Sequence, residues 1–233
     1  MLSTCFRMLY VLFLIKFTKP KNLMKTYFKG FTLLFVISML AFNTYGQSYD
    51  CKGENAQYRN AKNIWITDSV DYPFSNGDIG DFSGLFYFPV DCKYVFTGTL
   101  SSSGALKVIN VETSKGGTVQ MYDYGTLSVN VKGETYHLTV YKNINLPEFK
   151  NNSKAIFIPI KDKSSGPKPK KTFANGRYVI IEPPSSGDQV VLDLNMATNP
   201  FENYNSNFSS LIVPASNMLL APILAGERKY EDR

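Results

Sequence analysis

The stretch from Gly125 to Tyr141 reads GTLSVNVKGETYHLTVY. Leu127, Val129 and Val131 alternate with Thr126, Ser128 and Asn130. After Lys132-Gly133 the alternation resumes, Tyr136, Leu138 and Val140 against Thr135, His137 and Thr139. A period of two marks a half-buried strand, because successive side chains point to opposite faces. The two-residue loop suits a tight hairpin, since its glycine adopts positive φ without a Cβ clash. The pattern sets Leu127 opposite Leu138 and Val129 opposite Tyr136 on the buried face. It sets Ser128 opposite His137 on the other. A slip of one residue would turn every apolar side chain outward, so the register should be firm.

Working outward, Tyr94 to Leu100, Leu106 to Val111 and Val119 to Tyr122 read as short strands between Gly or Ser clusters. Ala155 to Ile160, Tyr178 to Glu182 and Gln189 to Asn195 read as further strands. Pro183-Pro184-Ser185-Ser186-Gly187 joins the last two as a turn. Leu211 to Val213 and Leu219 to Leu224 follow, placed at an edge or outside the ladder by Pro214 and Pro222. Upstream, Gln47 to Lys62 is polar, with Ala56, Tyr58 and Ala61 at helical spacing, and reads as a short helix. The fold expected is mainly β: a single antiparallel β-sandwich or partly open β-barrel with a short N-terminal helix. Residues 47–81 form an N-terminal arm and 82–233 the β domain. Lys161 to Lys171 is a basic, Pro-containing run that reads as a solvated connection.

Composition agrees with a packed body. Of 233 residues, 44% are apolar and 14% aromatic, and only 19% are charged. That is too few charges for a coiled coil or a solvating tail. The net charge of +6 suggests an anionic partner until it is located. Residues 1–46 hold Arg7, Lys16, Lys19, Lys21, Lys25 and Lys29 and no acid. Removing these six from the 25 basic residues leaves 19, against 19 acidic ones. The remainder is neutral and offers no nucleic-acid footprint.

Residues 24–46 read as a secretory signal peptide. Lys25 and Lys29 form the basic region, Phe31 to Phe42 the apolar core, and Thr44 and Gly46 the small residues before a cut at Gln47. The apolar run is shorter than the roughly 20 residues a spanning helix needs. No stable membrane insertion is expected after removal, and the destination is the periplasm or the exterior. Residues 1–23 read as an upstream extension with Met24 the true start; a membrane-tethered arm is the alternative. Cys5 leaves with that segment. The remaining Cys51 and Cys92, in an oxidising compartment, form the disulfide candidate; two buried free thiols are the alternative.

Landmarks over Phe82 to Tyr230 carry a resemblance. Phe82-Ser83-Gly84-Leu85 and Tyr87-Phe88-Pro89-Val90-Asp91 open it. Gly176-Arg177-Tyr178 and Glu182-Pro183-Pro184 stand at its centre. Leu192-Asp193-Leu194-Asn195, Ala197 and Asn199-Pro200 follow, and Asn217 and Ala225-Gly226-Glu227 close it. In this order they resemble the bacterial and archaeal domain-of-unknown-function family 1684. The resemblance implies no activity, because the family has none to transfer. Members often carry cysteines where Glu202 and Ser210 stand, and here both are absent together. That fits a lost disulfide better than a lost catalytic thiol. The segment before Gly176 also departs from the family, in the Lys-rich run and Thr172-Phe173-Ala174.

No phosphate loop, paired-Cys zinc spacing, nucleophile elbow or double-His helix occurs. One His and two remaining Cys leave no metal site and no cofactor expected. Ser128 opposite His137, with Asp123 nearby, has two members of a hydrolytic triad. A flat strand supplies neither an oxyanion hole nor a strained turn, so no catalytic residue is assigned there. The better cluster is Arg177, Asp193, Asn195, Asn199 and Tyr204, the ligand-binding candidates. An Arg177–Asp193 pair beside the Asn199-Pro200 turn would orient an anionic or amide ligand, or else hold that loop as a structural ion pair. The expected role is an exported, non-enzymatic β domain binding an unknown small molecule or partner protein. The competing class is a metal-independent hydrolase or other enzyme using Arg177, Asp193 and Asn195. A perturbed Asp193 or Glu227 in a pocket would favour the enzyme.

Overall fold

The structure is a computed structural model. It describes residues 49–67, 73–74, 82, 84–144, 146, 155–167, 171–184 and 186–230. The signal-peptide and upstream readings fall on residues 1–46, outside the described residues. Asp50–Arg233 forms a compact unit of its own.

Among the described residues, α-helix α1 (Cys51–Trp65) precedes strands β1 (Val95–Glu112), β2 (Thr118–Val131), β3 (Glu134–Asn143), β4 (Ile156–Asp162), β5 (Arg177–Ile181), β6 (Gln189–Asp193) and β7 (Met218–Leu219). The sheet runs β5-β4-β3-β2-β1-β6, with β7 parallel to β4 at one end. Apart from β7 the pairing is antiparallel, and the sheet curls into a half-barrel. Of the two expected architectures, the partly open barrel is the one formed. Tyr178 of β5 and Thr198, beyond the end of β6, exchange two backbone hydrogen bonds of 2.8 Å.

The hairpin has the register its sequence requires. Leu127 pairs with Leu138, Ser128 with His137 and Val129 with Tyr136. Lys132 and Gly133 both have positive φ, 54° and 92°. That is the mirror-image turn whose twist matches the strands. Leu127, Val129, Leu138 and Val140 point into the main core with Ile156, Ile158, Ile160, Val179 and Leu192.

Two expected strand breaks are absent. Tyr94 to Leu100 and Leu106 to Val111 belong to one strand, β1, whose register shifts between Ser102 and Lys107. Val119 to Tyr122 continues through Gly125 as β2, with a shift between Asp123 and Gly125. The Gly and Ser clusters are bulges, not loops. Ser103 Oγ donates to the carbonyls of Asp123 and Tyr124 at 2.9 and 3.2 Å. A Cβ on Gly125 would lie 2.1 Å from the Ser101 carbonyl oxygen, so only glycine lets β1 approach there. Near the C-terminus the proline rule holds. Leu211 makes one bridge, to Thr113, and the strand expected over Leu219 to Leu224 shortens to β7.

Pro159 sits inside β4 and cannot donate to a ladder. The pairing of β3 with β4 stops after Tyr141–Phe157 and Lys142–Ile156. Asn217 fills the split. Its Nδ2 donates to the carbonyls of Thr139 (2.9 Å) and Pro159 (2.8 Å), and its Oδ1 accepts from Thr139 N (2.7 Å). A side-chain amide thus takes the place of a peptide group between two strands.

Helix α1 forms over Cys51–Trp65, and its inner face is not the one that carries Ala56 and Ala61. Ala56 and Ala61 are exposed; Cys51, Asn55 and Lys62 are buried, with Ile66 just beyond the last turn. These positions recur at helical spacing, but Asn55 and Lys62 are polar, so an apolar count misses the stripe. Asp50 caps the helix, its carboxylate accepting from Gly53 N at 3.1 Å. Cys51 and Cys92 lie at disulfide distance, with Cα atoms 6.0 Å apart.

Candidate functional site

The sequence cluster divides into three buried polar centres, and Arg177 and Asp193 fall in different ones. Arg177 is wholly enclosed and pairs with Asp162, Nη2 to Oδ2 at 3.0 Å. The expected Arg177–Asp193 pair does not form. It assumed that the short Pro-Pro turn joins neighbouring strands. Instead β5 pairs with β4 and β6 with β1, so the turn spans the two edges of the half-barrel. Arg177 also donates to the carbonyls of Ala225, Glu227 (3.2 Å) and Ile223 (3.1 Å). Asp162 Oδ1 accepts from Ile223 N at 3.0 Å and from Ser164 N at 2.7 Å. The pair therefore clamps the C-terminal strap across the open end. Burial pulls the guanidinium pKa down, and the charge and hydrogen bond of Asp162 only partly restore it.

Asp193 and Asn195 form the second centre, beneath the first turns of α1. Asp193 Oδ1 accepts from Asn195 N (2.8 Å) and Nδ2 (2.9 Å), and Oδ2 from Asn55 Nδ2 (2.6 Å). Asn195 also exchanges two hydrogen bonds with the backbone of Asp91, at 2.9 and 3.0 Å. This holds the loop that carries Cys92.

The third centre is Glu227, 1% exposed. Its Oε2 accepts from Lys62 Nζ (2.8 Å), Thr198 Oγ1 (3.0 Å) and Asn199 N (3.0 Å), and Oε1 from Tyr204 OH. Lys62 also donates to Tyr204 OH at 3.2 Å. Asn199 and Tyr204 are thus brought together by Glu227, a residue noted in the sequence but not placed among the candidates. Lys62, Thr198, Tyr58 and Tyr87 were missed. A lysine on a polar helix carries no local mark of burial. Tyr87 pairs its backbone with Glu227 and stacks under Arg59, whose Cζ lies 4.5 Å from the ring centre. Tyr87 OH, Asn199 Oδ1 and Arg59 Nε are buried without a hydrogen-bond partner among the described residues.

Burial, then the charge of Glu227, pushes the phenols of Tyr58, Tyr87 and Tyr204 upward. A raised folded pKa means the stability is fully present below the unfolded value, about 10 for tyrosine, and is lost as pH rises through the folded value. These phenols are expected to ionise only as the fold is lost. Phenolate absorbance and circular dichroism followed together, in wild type and in Tyr204→Phe, test this. A Tyr204 phenolate in folded protein near pH 10 would contradict it.

The family described as proteins of unknown function, DUF1684, matches residues 80–228. The chain belongs to this family. The chain is also similar to a solved structure, that of an uncharacterized protein of Haloarcula marismortui determined by solution NMR. It is 30% identical, with a TM-score of 0.60, over 77% of this chain and 94% of that one. No curated protein matches the sequence. The family landmarks have physical roles here. Gly226 has φ 75°, and a Cβ on it would lie 2.6 Å from the Ala197 carbonyl oxygen; Arg177, Asp193, Asn195, Asn217 and Glu227 anchor the three centres and the strand split. Glu202 and Ser210, the pair singled out in the sequence, do meet. Ser210 donates to Glu202 Oε2 from its hydroxyl and, at 3.1 Å, from its N–H; Ser114 and Asn175 add bonds of 2.9 Å. Burial pushes the Glu202 carboxyl up, and these donors outweigh it, holding it below its ordinary value.

Ser128 Oγ and His137 Nδ1 are 2.9 Å apart, with His137 exposed. Asp123 pairs instead with Tyr141, further along β3. Among the described residues no group of three or more His, Cys, Asp or Glu would hold a metal ion, and no helix is long and apolar enough to cross a membrane.

Proposed function

We propose that this chain is an exported β domain that binds a small polar molecule at the junction of α1 with Tyr87 and Glu227. The observation that carries the reading is the set of unpartnered buried atoms there: Tyr87 OH, Asn199 Oδ1 and Arg59 Nε. Buried polar groups in a native fold are almost always satisfied, so three on connected elements call for an occupant. Two donors and an acceptor suit a molecule carrying both functions. Export to the periplasm or beyond rests on the signal-peptide pattern of residues 24–46 and on the Cys51–Cys92 proximity, which suits an oxidising compartment.

Catalysis through Arg177, Asp193 and Asn195 draws no support from their geometry. The Arg177 charge is matched by Asp162, and Asp193 accepts three hydrogen bonds from Asn55 and Asn195. The test is native mass spectrometry of the protein isolated from its own host. A retained small molecule, lost in Tyr87→Phe, is the expected result. Protein at its bare polypeptide mass under the mildest conditions would sink the reading.

A further inference from the structure

The two halves of α1 are held in different ways. The far end is anchored by apolar packing: Ile66 is fully buried, and the Trp65 ring lies 5.7 Å from that of Phe201. The near half, Cys51–Arg59, buries no aliphatic side chain. Polar links hold it: Asn55 to Asp193 at 2.6 Å, Arg59 Nη2 to the Asn195 carbonyl at 3.5 Å, and the Arg59–Tyr87 stack. Tyr58 adds a side-chain hydrogen bond with Thr198, and the sulfur pair ties the first turn to Cys92. The pair's members differ in access, Cys51 being 7% exposed and Cys92 open to solvent.

We propose that the Cys51–Cys92 bond is a thiol-operated latch, whose reduction frees the near half of α1 from Asp193 and Asn195 while Trp65 and Ile66 hold the far end in place. A dithiol reductant approaches through Cys92, the exposed sulfur. Its thiolate attacks Cys92 Sγ, the Cys51–Cys92 bond breaks, and Cys51 leaves as a thiolate that takes a proton from water. The second reductant thiolate then displaces Cys92, which leaves as a thiolate, and the reductant departs as its own disulfide. Two electrons pass from the dithiol to the cystine. Attack in this direction is favoured because the leaving sulfur sits in the first turn of a helix, where free N–H groups and the dipole stabilise negative charge. The opening parts Arg59 from the Tyr87 ring and uncovers Asp193, Asn195 and Tyr87. The proposed binding reading enters only in what becomes accessible.

Hydrogen exchange read by mass spectrometry, on the oxidised protein and after dithiothreitol under native conditions, tests the latch without any ligand. Protection over Cys51–Arg59 is expected to fall at least about ten-fold, while β2, β3 and β4 keep theirs. Emission of Trp65, the only tryptophan in the chain, should stay constant. The Cys92→Ser protein should show the reduced pattern without reductant. Unchanged protection over Cys51–Arg59 would overturn the proposal. So would loss of protection across the sheet, a shift in Trp65 emission, or a bond that dithiothreitol leaves closed. Because no ligand enters this readout, its failure is distinct from a failure of the binding reading.

Discussion

Arg177→Ala is expected to lower the unfolding free energy by about 3–5 kcal/mol, the usual cost of leaving one partner of a buried ion pair alone. The abandoned group is the Asp162 carboxylate, 6% exposed. The same substitution removes the donors to the carbonyls of Ile223, Ala225 and Glu227. Against the roughly 5–15 kcal/mol available to a domain, the loss is a large share. Asp162→Ala should cost a similar amount, since it strands the guanidinium. Asp193→Asn should cost less, because the hydrogen bonds to Asp193 from Asn55 and Asn195 come from neutral donors and an amide retains one acceptor oxygen. Denaturant melts with an unchanged slope decide this. Wild-type stability in Arg177→Ala would show that the pair does not hold the C-terminal strap.

Glu227→Leu is the second large effect, again about 3–5 kcal/mol. It leaves the Lys62 ammonium, 7% exposed, without its counter-charge and removes the acceptor shared by Tyr204, Thr198 and Asn199 N. Lys62→Met should cost less, since Glu227 keeps three donors. The double variant should cost less than the two singles added, by about 0.5–3 kcal/mol, because it leaves no charge unpaired. Strict additivity across the four proteins would show that Lys62 and Glu227 are not coupled.

The linked centres also explain why the candidate residues carry little exposed chemistry. Each carboxylate is surrounded by donors from elements far apart in the chain. Asn55 and Asp193 are separated by 138 residues, and Lys62 and Glu227 by 165. Such contacts fix how α1 and the C-terminal strap close the half-barrel. Tyr87 OH, Asn199 Oδ1 and Arg59 Nε, unpartnered atoms beside the Glu227 centre, are the place to look for an occupant.

The hairpin register, the Lys132-Gly133 turn, the exclusion of the Pro214 and Pro222 segments from long strands, and the mainly β class were all legible in the sequence. Each is a local property: a period of two, a residue that takes positive φ, a missing N–H. Locality also misled, where the Ser102–Lys107 and Asp123–Gly125 irregularities looked like strand ends but are bulges in β1 and β2. The partner of Arg177 was not local at all. It depended on whether the Pro-Pro turn joined neighbouring strands or opposite edges; because β5 pairs with β4, with Arg177 opposite Ile160, Asp162 two residues further along β4 became its partner. The buried face of α1 was hidden for a related reason. A polar stripe becomes an inner face only when its matching groups, Asp193, Asn195 and Glu227, arrive from the far end of the chain, and burial without those partners would cost too much for the helix to settle there.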